Sequence, residues 1–175
     1  MSLRTIMIFP DFENIDIIDL IRKQYDPLAE FVRPHITIVF PFDSELSNEE
    51  LEHILDVRLK DMEPFHLELR GFSKHSDRFG NYLFLNLTRG SEIVEKIHDE
   101  LYSNEFKMYC SDFDYVPHMT VGKLASVSEM DEAYDKIKNR KDTFVTTVDK
   151  ISVEMIGSND ESIIIIEKWI RQGKV

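Results

Sequence analysis

Two histidines of this chain stand in the same five-residue setting. Pro34-His35-Ile36-Thr37-Ile38 recurs as Pro117-His118-Met119-Thr120-Val121. With six histidines, seven threonines and six prolines in 175 residues, a shuffled chain gives about 0.24 His-x-Thr triplets and about 0.01 preceded by proline. Two matched copies therefore demand a reason. An imidazole titrates near neutrality, so one ring can take a proton while another gives one. Splitting a phosphodiester needs that pair: a base for the attacking oxygen and an acid for the leaving one. Threonine hydroxyls can hydrogen-bond the non-bridging oxygens as charge grows there. In a strand, side chains alternate, so His35 and Thr37 share one face while Ile36 and Ile38 anchor the other. The same holds for His118 and Thr120 over Met119 and Val121.

The remaining residue types narrow the chemistry. His53, His66, His75 and His98 are scattered, and there is no His-Glu-x-x-His or Cys-x-x-Cys, so this site is expected to use no metal and no other cofactor. The single cysteine, Cys110, permits no intramolecular disulfide and lies in no motif. A formal net charge of −12 argues against coating duplex DNA, which requires a basic face, though a small anion can still enter a locally positive pocket. No apolar run approaches the roughly 20 residues of a membrane span, and the start lacks a signal-peptide pattern. A cytoplasmic protein with no membrane partner is expected; protein partners and oligomeric state cannot be read.

The motifs need elements to hold them. Arg4 to Pro10 reads as a strand, Phe12 to Tyr25 as a helix, Pro34 to Phe40 as a strand. Ser47-Asn48-Glu49-Glu50 is a capping box before a helix, and Phe65 to Arg70 alternates as a strand. The polar, glycine-bearing stretch Gly71 to Asn81 predicts a crossover loop. The order then repeats: a strand at Leu83 to Leu87, a helix through Ile93 and Leu101, a strand from Pro117 to Leu124, and a helix capped by Ser128. Strands near Lys150 to Ile156 and Ser162 to Lys168 close the chain. The expected architecture is α+β: one bilobal domain over 1–175, with two pseudo-symmetric β-α-β-α-β lobes (repeats 1–78 and 79–156, closing strand 162–168). Mainly antiparallel sheets would face a central cleft, bringing the two motifs around one anion.

At these residues the sequence resembles the two-histidine (2H) phosphoesterase superfamily, which includes the bacterial 2′-5′ RNA ligase family and cyclic phosphodiesterases. The pattern of two His-x-Thr/Ser-x motifs half a chain apart carries the resemblance, and the segment from Arg33 to Phe42 looks closest to small bacterial members. The resemblance implies a metal-independent phosphoesterase acting on 2′,3′-cyclic phosphates or 2′-5′ phosphodiester bonds of nucleotides or RNA ends. His35 and His118 become the acid/base pair, and Thr37 and Thr120 the phosphate ligands. Many members place an arginine shortly after the second motif. Here Lys123 stands in that neighbourhood, keeping the charge without the bidentate fork; it is a candidate phosphate contact. A nucleotide-binding module with weak or no turnover is the alternative. Which histidine is the base, and whether hydrolysis or ligation is the natural direction, stay open at this level.

Other residues are weaker candidates. Arg33, beside the first motif, reads as a surface ion-pair partner. Arg70, Lys74, His75 and Arg78 make the expected crossover loop locally basic. Phe40, Phe42 and Tyr115 could stack on a base, although aromatics beside a core strand usually belong to the core.

Overall fold

A computed structural model describes residues 3–110 and 114–170. Five elements follow one another in the first half: β1 (Arg4–Ile8), α1 (Ile15–Tyr25), β2 (Ile36–Phe42), α2 (Asn48–Arg58) and β3 (Phe65–Asp77). The second half runs β4 (Gly80–Arg89), α3 (Ser91–Tyr102), β5 (His118–Leu124), α4 (Val127–Ile137) and β6 (Thr143–Val148). Two further strands, β7 (Lys150–Ile156) and β8 (Ser162–Trp169), end the described chain.

The strands form two four-stranded antiparallel sheets, ordered β2-β1-β7-β8 and β5-β4-β3-β6. In each, the motif strand (β2 or β5) is the outer one and pairs with the strand that opens its half. The third strand comes from elsewhere in the chain. β3, at the end of the first half, completes the second sheet, and β7, after the second half, completes the first. The helices cross over too: α1 packs against β5, and α3 against β2. Each motif strand is thus backed by a helix from the other half.

Packing enforces these crossings. Ile36, Ile38, Met119 and Val121 are fully buried, as the alternation of the motifs requires. They join a single core cluster with Ile18 and Ile21 of α1 and Val94, Ile97 and Leu101 of α3, and burying each such side chain contributes about 1.5–3 kcal/mol. Gly122 lets α1 come close: a β-carbon there would sit 2.9 Å from the Cβ of Tyr25 and 3.2 Å from Leu83 Cδ1. α2 starts on the expected capping box, Ser47 accepting from the Glu50 amide and Glu50 from the Ser47 amide.

Three readings of the sequence need correction. Gly71 to Asn81 is no crossover loop but the outer part of a long hairpin, β3 reaching Asp77 and β4 starting at Gly80. Gly71 has φ +75° where the β3–β4 register shifts between Leu69 and Phe72, a bulge glycine. The Asp77 carboxylate accepts from the Phe79 and Gly80 amides at 2.7 and 3.2 Å and builds the turn. This arm is held by ladder hydrogen bonds rather than apolar burial, so its polar composition imitates a loop. Secondly, α4 is capped by Ser126, not Ser128; its side chain accepts from the Glu129 amide at 3.2 Å. Finally, Thr143–Val148 is a strand in its own right, and only Asp149 separates it from β7, so the sequence shows no turn between them.

Candidate active site

His35 and His118 occupy equivalent places, at the entrance of β2 and as the first residue of β5. Each is partly exposed above a buried neighbour. Each ring also makes the same bond. His35 Nδ1 lies 2.8 Å from the Arg33 carbonyl, and His118 Nδ1 lies 2.7 Å from the Val116 carbonyl. A carbonyl only accepts, so both Nδ1 atoms carry hydrogen and both Nε2 atoms are left to exchange protons. Pro34 and Pro117, both buried, hold the chain extended before each ring, since the residue preceding a proline is biased away from helix.

Electrostatics treats the two rings alike in direction. Burial pushes His35 down to about 4; the Arg33 carbonyl opposes this, and the charges of Arg22 and His118 add to it. Burial likewise holds His118 below the ordinary histidine range, with His75 contributing in the same direction. β2 lies against β5, and the Tyr115 hydroxyl donates to the Thr37 carbonyl at 2.7 Å, joining the approach to the second motif directly to the first.

The threonines fall where alternation puts them, Thr37 beside His35 and Thr120 beside His118, all four half-exposed. Lys123 does not follow simple alternation, which would assign it to the opposite face from His118 and Thr120. The register runs Asn86↔His118, Phe84↔Thr120, Leu83↔Gly122 and Tyr82↔Lys123, leaving Val121 as an extra residue. That bulge turns Lys123 onto the face of His118 and Thr120. Its ammonium lies 5.5 Å from the Tyr82 ring centroid. The Arg33 guanidinium lies 4.7 Å from the centre of the Phe9 ring, which flanks the His35 ring, while the Arg33 carbonyl holds His35. Lys74 pairs with Asp131 of α4 at 2.6 Å, away from the motifs.

Several contributors carry no motif. Arg22 is essentially fully buried. It pairs with Asp26 at 2.8 Å and donates to the carbonyls of Val32 at 2.8 Å and Leu28 at 3.4 Å, pinning the segment that ends at His35. The aromatics flanking the motifs also sort out. Phe42 is core, 4.9 Å from Phe106. Tyr115 stacks on His98 at 3.7 Å with an interplanar angle of 1°. His98 Nδ1 bonds the Ile38 carbonyl at 2.8 Å, and the Phe40 amide donates to Tyr102 Oη at 3.1 Å. These side chains satisfy backbone groups on the outer edge of β2 that no neighbouring strand reaches. Phe84, which stacks on His118 at 3.7 Å, could have been found only from the strand pairing.

Among the described residues, no three His, Cys, Asp or Glu side chains gather as a metal-binding group, and no helix is long and apolar enough to cross a membrane. A cavity of about 220 Å³ lies where the end of β1 meets the β6–β7 turn, with Phe9, Asp11, Thr147 and Lys150 in its wall. Phe9 also contacts the His35 ring, 6.0 Å between centroids.

Comparison with known proteins identifies relatives in sequence and in fold. A protein of Halalkalibacterium halodurans named "Putative phosphoesterase BH1439" is 29% identical over 154 residues, covering 85% of each chain. One of the same kind from Bacillus pumilus is 27% identical over 146 residues, covering 83% of this chain and 84% of the relative. Solved structures share the fold. TT0787 of Thermus thermophilus gives a TM-score of 0.63 at 14% identity, over 98% of this chain and 100% of that one. Escherichia coli LigT complexed with 3′-AMP gives 0.61 at 14% identity, over 98% and 99%. The profile of the 2′-5′ RNA ligase superfamily matches residues 9–158, so this chain belongs to that superfamily.

Proposed function

We propose that the chain is a metal-independent phosphoesterase that opens 2′,3′-cyclic phosphates or 2′-5′ phosphodiester bonds of nucleotides or RNA ends with His35 and His118 as the acid/base pair. The observation that carries this reading is the matched tethering of the two rings by Nδ1 to a backbone carbonyl two residues back. A binding site has no need to fix two tautomers in the same way; proton transfer at Nε2 does.

One ring, neutral at Nε2, removes a proton from the attacking water as that oxygen bonds to phosphorus. The other, protonated at Nε2, gives its proton to the departing ribose oxygen as the P–O bond breaks. Each turnover therefore consumes one water and leaves the proton exchanged between the rings, to be restored through solvent. Thr37 and Thr120 donate to the two non-bridging oxygens, and Lys123 supplies positive charge at the rim of the same face. In the free protein both rings are held below their ordinary range. The acid form is therefore completed by the substrate, because a bound phosphodiester anion favours imidazolium.

LigT has been solved with 3′-AMP, with ATP and with NADP+, which supports a nucleotide as the substrate of this chain too. The test is product analysis after incubation, with chelator present, of 2′,3′-cyclic nucleotides and 2′-5′-linked dinucleotides. Conversion under chelation is expected, and the isomer released identifies the bond opened. Saturable nucleotide binding without any product would reverse the reading in favour of a binding module.

A further inference from the structure

The two histidine rings are tethered alike, but what stands behind them differs. Between α1 and β2 the chain doubles back around the Arg22 side chain, which is 1% exposed. Its Nε donates to the Asp26 carboxylate, Nη1 to the Val32 carbonyl and Nη2 to the Leu28 carbonyl. The Leu28 carbonyl also accepts from the Phe31 and Val32 amides at 3.0 and 3.1 Å. The other Asp26 oxygen accepts from the Leu28 amide at 2.9 Å. The guanidinium is therefore the centre of the turn from Asp26 to Val32. From that turn the Val32 side chain packs on Met7 and Phe9, and Phe9 contacts the His35 ring. The next residue, Arg33, supplies the carbonyl that accepts from His35 Nδ1. One buried side chain thus braces both neighbours that orient His35. Arg4, the other buried arginine among the described residues, is committed to the Ser44 and Leu46 carbonyls, and the His118 ring lies against Phe84 instead.

We propose that Arg22 is a positioning residue for His35, holding the ring through the turn it braces and setting from behind how readily that ring accepts a proton; the inference rests on the phosphoesterase reading. A guanidinium carries its charge permanently, and a buried charge is screened far less than an exposed one. Arg22 therefore opposes a second positive charge on His35, while Asp26 favours one. The ring responds in that sense. Burial lowers it most and the Arg33 carbonyl opposes this; the charge of Arg22 then acts downward and that of Asp26 upward. The other groups around the ring are His118 of β5, which also disfavours the cation, the Arg33 guanidinium over Phe9, and Tyr115, whose hydroxyl is bonded to the Thr37 carbonyl. Two rings with the same tether are thereby made unequal.

The test is an NMR titration of the histidine Cε1–H signals in the free protein, with the His35 signal assigned from His35→Ala. Arg22→Gln keeps an amide that can donate to the Val32 carbonyl but removes the charge, so the His35 midpoint should rise by about one pH unit. Asp26→Asn removes the opposing charge. Near pH 4, where the wild-type ring is about half protonated, this variant should show less imidazolium. Arg22→Lys keeps the charge without the fork; its midpoint should stay within about half a unit of the wild type, while kcat falls about tenfold and KM changes little. A turn that merely loosened would let water reach the ring and raise the midpoint in every variant. An unmoved midpoint in folded Arg22→Gln, more imidazolium in Asp26→Asn, or wild-type kcat in Arg22→Lys would overturn the role. Should Arg22→Gln fail to fold, Asp26→Asn decides in its place, less imidazolium supporting the role and more overturning it. Because the titration needs no substrate, opposite shifts without turnover sink the phosphoesterase reading alone, and turnover with an unmoved midpoint sinks this inference alone.

Discussion

The Tyr115 hydroxyl donates to the Thr37 carbonyl at 2.7 Å, so a residue three positions before His118 is fastened to the backbone two positions after His35. This bond joins the segment leading into β5 to β2 of the other sheet, and His98 stacked on the Tyr115 ring fixes where the hydroxyl can reach. The spacing of the two imidazoles is therefore set by an aromatic bracket rather than by the sheets alone.

Tyr115→Phe tests the bracket. The ring and its stacking remain, and only the hydrogen bond is lost, at a stability cost of about 0.5–1.5 kcal/mol. Turnover should fall by about tenfold or more because misplacement of reacting groups is costly, while KM changes little. Steady-state kinetics beside a thermal melt would check it; an unaltered kcat would show that the sheets hold the spacing without help.

The pH dependence follows from the depressed histidines. The proposed mechanism needs one ring neutral and one protonated, and burial holds both rings below the ordinary histidine range. Raising pH through the upper of the two values removes the proton from the acid, so kcat/KM should peak on the acid side of 6.5 and decline above it. In the complex the phosphate anion raises the acid's pKa, so the alkaline limb of kcat should lie at higher pH than that of kcat/KM. Initial rates between about pH 4 and 9 decide the matter. A kcat/KM that keeps rising through neutrality would contradict one ring acting as the acid.

Arg22 and Asp26 form a buried pair behind the first motif, with side chains 1% and 6% exposed. Arg22→Met leaves the Asp26 carboxylate uncompensated and frees the Leu28 and Val32 carbonyls, so a loss of about 3–5 kcal/mol is expected. Denaturant unfolding would measure it. A variant as stable as the parent would mean that the segment before His35 holds itself without the pair.

Gly122→Val offers a separate test of the crossing of α1 over β5. The added β-carbon meets backbone-proximal Tyr25 Cβ at 2.9 Å, a clash that no rotamer relieves, and overpacking of this kind costs about 1–3 kcal/mol. A melting curve is sufficient, and an unshifted midpoint would show that α1 can move aside freely.

The sequence disclosed the motif faces because burial of Ile36, Ile38, Met119 and Val121 follows a period of two, and the α2 cap because Ser47 and Glu50 spell it. It hid other features for definite reasons. From Lys74 to Phe79 the hairpin arm is exposed on both sides, so no hydrophobic alternation marks it as strand. β6 and β7 are joined by Asp149 alone, without glycine or proline to separate them. The placement of Lys123 depends on a bulge at Val121, which shifts the alternation by one and is visible only in the pairing of β4 with β5. Arg22 sits on a helix where an arginine ordinarily reads as solvated, and its role emerges only when the segment from Asp26 to Val32 folds back over it. The crossing of α1 and α3 onto the opposite sheets is likewise a tertiary fact without a local signature.

The account stands most directly on the two histidines acting as one unit, and the measurement is turnover of a 2′,3′-cyclic nucleotide by His35→Ala, His118→Ala and the double variant, with folding verified for each. Each single change should cost about 10³-fold or more, and the double variant should be little worse than either, because groups that act together are grossly non-additive. Full turnover in either single variant, or losses that simply multiply in the double, would contradict it.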